Sequence, residues 1–328
     1  MKNIVFQALA EAARVREPVA LAIINSVKGS SPQKLGAKAL FYADGRIKGT
    51  VGGGCLEAEI QRRAVQSLGS GQASTFDLLL DHDFGWDDGL ICGGKVRGLI
   101  LPNAQVVGEK FWAELTEPRI RFDWGIRDDF VIGRALAHSA ERWLYQETVY
   151  PPCAFWIAGA GHIAQAVAPF AAQLDFEVTV FDDRPALASR QFFPGEVSLK
   201  ADVWEKLLLL PLPEVPAFGL VVTRGHRHDA LVLKSWIQKP FRFIGMIGST
   251  RKARIIFDHF LEERLATPEQ LERVACPVGI KIRSQSVMEI AVSIVAQFID
   301  KRAEELARYD SQTSAVSATC GESSPSCA

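Results

Sequence analysis

The stretch from Pro151 to Asp183 constrains this chain more than any other. Two consecutive prolines break whatever precedes them, and the apolar run "AFWIAGAG" then leads through Gly159-x-Gly161-x-x-Ala164 into a helix-periodic segment beginning at His162. A second apolar run, "EVTVFDD", ends in Asp182 and Asp183, about 20 residues after the glycines. In this arrangement the first glycine permits a tight turn, the second lets backbone amides approach a phosphate, and the small third residue lets helix and strand pack closely. An acid at the end of the second strand would accept from ribose hydroxyls. Gly159, Gly161, His162, Asp182 and Asp183 are therefore candidate nucleotide-binding residues. The plainer reading is that the glycines only turn a strand into a helix, with His162 a neighbour of its cap.

Beyond the prolines the order strand, glycine turn, helix, strand repeats, which predicts a Rossmann-like, doubly wound parallel sheet over residues 151–308. Two loops in it invite ligands. "TRGHRHD" places His226 and His228 after a strand, where ligands of open α/β sheets sit, although two imidazoles would need a third ligand to hold a metal. "IGMIGSTRKAR" offers Ser249 as a helix cap, followed by Arg251, Lys252 and Arg254 on the first turn. Cations are unfavourable there unless an anion lies between them and the helix dipole, or unless they meet water or Asp258 instead. The last residues, 309–328, are small and polar and read as a disordered tail.

The first half reads differently. A helix over 3–16, a buried strand at 19–27, two short strands flanking Asp44-Gly45 and a helix over about 56–68 predict an α/β domain covering residues 1–103. Residues 104–150 follow no single period and read as a connector that also packs. Between the hairpin and the helix stands Gly52-Gly53-Gly54-Cys55, where amides opening a helix would form a nest for a negative group and favour the thiolate of Cys55. "KGSSPQKLGAK" supplies Ser31, Gln33 and Lys38 on a polar loop, and Cys92-Gly93-Gly94 repeats the pairing of thiol and glycine. Each cysteine taken alone reads equally as a small buried hydrophobe.

Composition narrows the functional classes. In 328 residues, 37 Lys and Arg stand against 38 Asp and Glu, so no basic footprint for nucleic acid or membrane surface exists and an anionic ligand must be held locally. No run approaches the roughly 20 apolar residues of a membrane span, and the N-terminus lacks the pattern of a signal peptide. Six scattered cysteines without a C-x-x-C pair fit a reduced, cytoplasmic protein.

Taken in order, "GSSPQKLGAK", "DGRIKGTVGGGCLEAEI", "ICGG", "IAGAGHIAQAVAPFAAQLDFEVTVFDDRP", "VVTRGHRHD", "FIGMIGSTRKA" and "CPVGIKIRSQSVMEIAVSI" resemble the motifs of the XdhC/CoxI family. Its members are accessory proteins of xanthine dehydrogenase, CO dehydrogenase and related molybdenum hydroxylases. The likeness spans roughly 18–100 and 153–303. It implies a homodimeric chaperone that binds molybdopterin, keeps the molybdenum cofactor while a cysteine desulfurase exchanges an oxo ligand for sulfur, and delivers it to an apoenzyme. On that reading the amide nest takes the cofactor's phosphate or ring, and Cys55 or Cys92 sits near molybdenum. Many members of the family carry Ala in place of Cys55 and Arg in place of Gln33, so neither side chain is essential to a shared task. A nucleotide in the second domain, NAD(P) or a cytidine portion of the cofactor, is the further expectation. The competing class is a nicotinamide-dependent oxidoreductase, for which the glycine fingerprint speaks and the lack of a convincing proton-transfer pair beside it does not.

Overall fold

The computed structural model describes residues 2–29, 33–80, 94–116, 121–135 and 142–319. The chain divides into two compact units, Met1–Pro151 and Pro152–Ala328.

In the first unit the order is α1 (Lys2–Val15), β1 (Val19–Lys28), β2 (Lys38–Tyr42), β3 (Ile47–Gly49), α2 (Gly54–Ser70), β4 (Ser74–Leu80) and β5 (Gly94–Leu101). A 3-10 turn at Ala104–Val107 leads to α3 (Glu109–Thr116), β6 (Phe122–Arg127), β7 (Ile132–Arg134) and β8 (Trp143–Val149). The main sheet runs β3-β2-β1-β5-β4 and is antiparallel throughout. Its central strand β1 is apolar without interruption from Val19 to Ile24 because both faces are covered there. Val19, Leu21 and Ile23 meet Phe6 and Leu9 of α1, whereas Ala20, Ala22 and Ile24 meet Leu56, Ile60 and Ala64 of α2.

The described residues of 104–150, expected as a connector that also packs, contribute to this unit's core. They build a second antiparallel sheet, β7-β6-β8, and its Trp124, Ile126 and Tyr145 join Trp112 of α3 and Phe6 of α1 in one cluster. The rings interlock edge to face, Phe6 and Trp124 with centroids 5.7 Å apart and Trp112 and Trp124 at 5.8 Å.

The second unit contains β9 (Cys153–Ala158), α4 (His162–Gln173), β10 (Phe176–Asp182), β11 (Ser198–Ala201), α5 (Trp204–Leu207), β12 (Ala217–Val221) and α6 (His226–Trp236). It is completed by β13 (Phe243–Met246), α7 (Thr250–Glu262), α8 (Pro268–Glu272), β14 (Val274–Ala275) and α9 (Val287–Thr319). All of its strands are parallel, in the order β11-β10-β9-β12-β13-β14. Counted from β9 this is 3-2-1-4-5-6, the doubly wound Rossmann order. Alternate residues of β9 feed opposite layers: Phe155 and Ile157 pack with α4 and α9, Trp156 and Ala158 with α6 and α7.

Helix α9 does not stop where the apolar period fades near residue 307. It continues to Thr319, into the segment read as tail, since no glycine or proline occurs before Gly321. Among the described residues no helix is long and apolar enough to cross a membrane.

Candidate functional site

Antiparallel pairing gathers the first unit's candidate segments at one end of its sheet. Lys28 at the end of β1 pairs with Lys95 at the start of β5, and Leu80 at the end of β4 pairs with Gly94. Gly49, the last residue of β3, pairs with Ala39 beside the start of β2. The connections that follow β1, β3 and β4 therefore leave from the same end, and Gln33, Gly52, Gly53, Gly54 and Cys55 are borne on two of them. Ser31, Cys92 and Gly93 lie outside the described residues. Gly94 is a buried ladder residue of β5.

The glycine turn has a built geometry. Gly52, Gly53 and Gly54 take φ of +138°, +70° and +54°, conformations that other residues adopt only under strain. Glu57, one turn into α2, holds the approach to it. Its Oε2 accepts from the Thr50 hydroxyl at 2.7 Å and from the Val51 amide at 3.0 Å, and Thr50 Oγ1 accepts from the Gly52 amide at 3.1 Å. Gly53 caps α2 without any side-chain hydrogen bond. Among the described residues a Cβ placed on Gly53 or Gly54 would meet nothing within 4 Å, so these glycines are demanded by backbone conformation rather than by a close neighbour. Gly49 is the opposite case, where a Cβ would fall 2.5 Å from the Lys38 carbonyl oxygen. Cys55 stands half-buried on the first turn of α2, directly after Gly54.

Lys38 is not available to a ligand in this arrangement. Its ammonium donates to Glu147 Oε1 at 3.0 Å and to the Gly36 carbonyl at 2.9 Å, lies 2.8 Å from Glu147 Oε2, and is over the Phe6 ring. Sequence reasoning places it on a ligand loop because Glu147, 109 residues away, lies in the segment without a single period. Trp124 donates its indole N–H to the same carboxylate at 3.2 Å. Burial first, and the Glu147 carboxylate second, push the Tyr145 hydroxyl above its ordinary range.

In the second unit the glycine fingerprint sits at the switch point, where β9 lies between β10 and β12. Gly159 adopts φ +112°, and a Cβ there would lie 2.3 Å from the Val222 carbonyl oxygen, so this glycine is required by the close approach of a neighbouring strand's end. Gly161 caps α4 with nothing above its Cβ position, and His162 is exposed on the first turn.

Asp182 departs from its expected role. It is 1% exposed, its Oδ2 accepts from the Ala160 amide at 2.6 Å and Arg184 Nη2 at 2.9 Å, and its Oδ1 accepts from Arg184 N and Nε at 2.9 and 2.8 Å. Both oxygens are thereby committed to fastening the glycine loop to the end of β10. Burial pushes this carboxyl up, but the hydrogen bonds from Arg184 and the two amides outweigh it and leave it below the ordinary carboxylate range. Asp183 is paired with Arg224 at 2.7 Å.

The basic cluster resolves into separate pairs. Lys252 turns back to a buried acid the sequence did not single out, Asp229, whose other oxygen accepts from the Thr223 hydroxyl at 2.7 Å and amide at 3.1 Å. The signal for it was position alone: an acid on the first turn of α6. Arg254 lies 3.6 Å from Asp258. Ser249 caps α7 by accepting from the Lys252 amide at 3.2 Å. His226 is exposed, while the ring of His228 lies against Trp204 and 3.3 Å from Arg224, so the two imidazoles do not converge. Among the described residues no three His, Cys, Asp or Glu come together as a metal site.

Two family models match the chain. The one described as the XdhC and CoxI family covers residues 12–79, and the one described as the XdhC Rossmann domain covers 155–298. A Bacillus subtilis protein named as a probable xanthine dehydrogenase subunit is 27% identical over 323 residues, with 88% of this chain and 94% of the relative covered. The molybdenum cofactor insertion chaperone PaoD of Escherichia coli is 25% identical over 292 residues, covering 86% of this chain and 83% of PaoD. A crystal structure of a xanthine dehydrogenase from Bacillus halodurans superposes with a TM-score of 0.76 at 24% identity, over 92% of this chain and 96% of the other, and shares its fold.

Proposed function

The chain belongs to the XdhC and CoxI family, and from that membership we propose that it is an accessory protein of a molybdenum hydroxylase that takes molybdopterin as cargo. The carrying observation is the open glycine turn of the first unit. Gly53 and Gly54 present backbone with no side chain and, among the described residues, no atom near their Cβ positions, at the sheet end from which the candidate loops depart. Amides at such a turn suit a phosphate or the polar edge of a pterin, and a half-buried thiol one residue on suits a soft metal. The kinship with a protein named as a molybdenum cofactor insertion chaperone supports the same reading.

In the fuller form of the proposal the cargo is held while a cysteine desulfurase sulfurates it, then passed to an apoenzyme of the xanthine or CO dehydrogenase type. Thr50 and Glu57 fix the approach to the glycines, Gly53 and Gly54 admit the cargo, and Cys55, with Cys92, guards the exchangeable ligand. The protein works as a dimer and needs no turnover of its own. The oxidoreductase reading draws on the Rossmann strand order, but the acid at the end of β10 that would hold a ribose is spent on Ala160 and Arg184.

The test is anaerobic purification followed by oxidation, with pterin fluorescence and molybdenum content measured on the same sample. Pterin should accompany the wild-type chain and be lost from Gly54→Asn, whose side chain has room and whose residue type tolerates a φ of +54°, with far-UV circular dichroism establishing that the variant is folded. A wild-type chain that neither retains pterin nor activates a molybdenum hydroxylase apoenzyme in the presence of cofactor would overturn the proposal.

A further inference from the structure

The second unit contains a cavity that the cargo site does not use. It lies between α6 and α7 and has a volume of about 460 Å³, inside the range of small-molecule pockets, about 300–1,000 Å³. Its floor is apolar: Ala230 from α6 and Ile255, Ile256 and Phe260 from α7. Ile256 and Phe260 are buried, but Ile255 is 60% exposed, a β-branched side chain left in water at the cavity mouth.

The rim has one sign of charge. Arg227 and Arg251 line the cavity together with His226, His259 and Lys252, and among the described residues no Asp or Glu does. Nearby carboxylates are already engaged, Asp229 with Lys252 and Asp258 with Arg254. Among the described residues neither Arg227 nor Arg251 has an acidic partner. Each is the second residue of its helix, α6 or α7, where a cation is opposed by the helix dipole. Two uncompensated guanidiniums facing one apolar hollow are complementary to a negative group joined to an apolar body.

We propose that this cavity binds a small organic anion, an aryl or acyl body bearing a carboxylate or phosphate. The body lies on Ile255, Ile256 and Phe260, and the anionic head is shared by Arg227 and Arg251. Inorganic phosphate alone would be held weakly, because it leaves the floor wet.

Anilinonaphthalene sulfonate, an aromatic body with one anionic group, is the probe, titrated by fluorescence into the full chain. Saturable binding at one site is expected, weakened about tenfold or more by Arg251→Glu or Arg227→Glu and likewise by Ile255→Asp. Lys234→Glu, in the last turn of α6 and outside the cavity, should leave it unchanged. Far-UV circular dichroism of each variant establishes that the fold is intact. Decanoate and adenosine monophosphate then compete with the probe in separate arms, and displacement by one identifies an acyl or a phosphorylated heterocyclic ligand. Absence of saturable binding, equal affinity in folded Arg227→Glu and Arg251→Glu, or displacement by neither competitor would sink the assignment. None of these outcomes bears on pterin retention, so the two proposals fail separately.

Discussion

The Oδ2 of Asp182 accepts the amide of Ala160 at 2.6 Å, so the carboxylate that ends β10 is the fastening of the glycine loop after β9. In a dinucleotide site the same acid would face a ribose. Here it is turned inward and neutralised by Arg184.

Asp182→Asn keeps an acceptor for the amide but loses the charge facing Arg184. A loss of about 1–3 kcal/mol at neutral pH is expected, read from urea unfolding. The wild-type carboxyl is held below its ordinary range, so its contribution is complete above the unfolded value of about 3.9 and is lost as pH falls through the folded value. Below about pH 4 the wild-type chain should therefore lose stability more steeply than Asp182→Asn.

The Lys38–Glu147 pair is buried, with side chains 7% and 16% exposed. Lys38→Met strands a carboxylate in the core and should cost about 3–5 kcal/mol, whereas Lys38→Met combined with Glu147→Leu should recover much of it. Thermal or urea unfolding of both variants checks this. A double variant no better than the single one would mean that the Trp124 and Gly36 contacts, rather than the charge, dominate.

Two glycines should differ sharply in what alanine costs them. Gly53→Ala has open space at its Cβ, so its cost is that of φ +70° with ψ −179°, a region essentially reserved for glycine, about 1–3 kcal/mol. Gly159→Ala would drive a Cβ against the Val222 carbonyl at 2.3 Å, and the second unit should unfold or yield little soluble protein. Calorimetry and expression yield distinguish them.

Cys153 lies inside the second unit's core, and burial, only partly offset by Arg302, pushes its thiol up to about 11. At pH 8 iodoacetamide should leave Cys153 unmodified in the native chain and reach it in urea, as peptide mapping by mass spectrometry would record. The half-buried Cys55 should be alkylated first of the two.

Some of this architecture is legible from residues alone and some is not. The fingerprint around Gly159 and the alternation that follows it prescribe the parallel sheet, because the strands carry local apolar patterns and glycines mark the turns after β9, β12 and β13. Asp44-Gly45 likewise announces the β2–β3 hairpin. The sheet β7-β6-β8 is hidden although Phe122, Trp124 and Ile126 alternate inward, since three inward residues among charges are too short a run to separate from a loop. The partners of Lys38 and Asp182 are illegible for a different reason. Lys38 finds Glu147 across 109 residues, and Asp182 finds Ala160 only once β9 and β10 are adjacent. Spacing can nominate a charged group for a ligand, but only tertiary structure reveals that another residue has already claimed it.

In the first unit, β1, β3 and β4 all release their connections at a common end, while the ladder and both helical layers lie behind it. Lengthening or recolouring any one of those connections acts at that one end of the sheet and leaves the pairing register untouched. The scaffold can therefore absorb changes in those connections without being rebuilt.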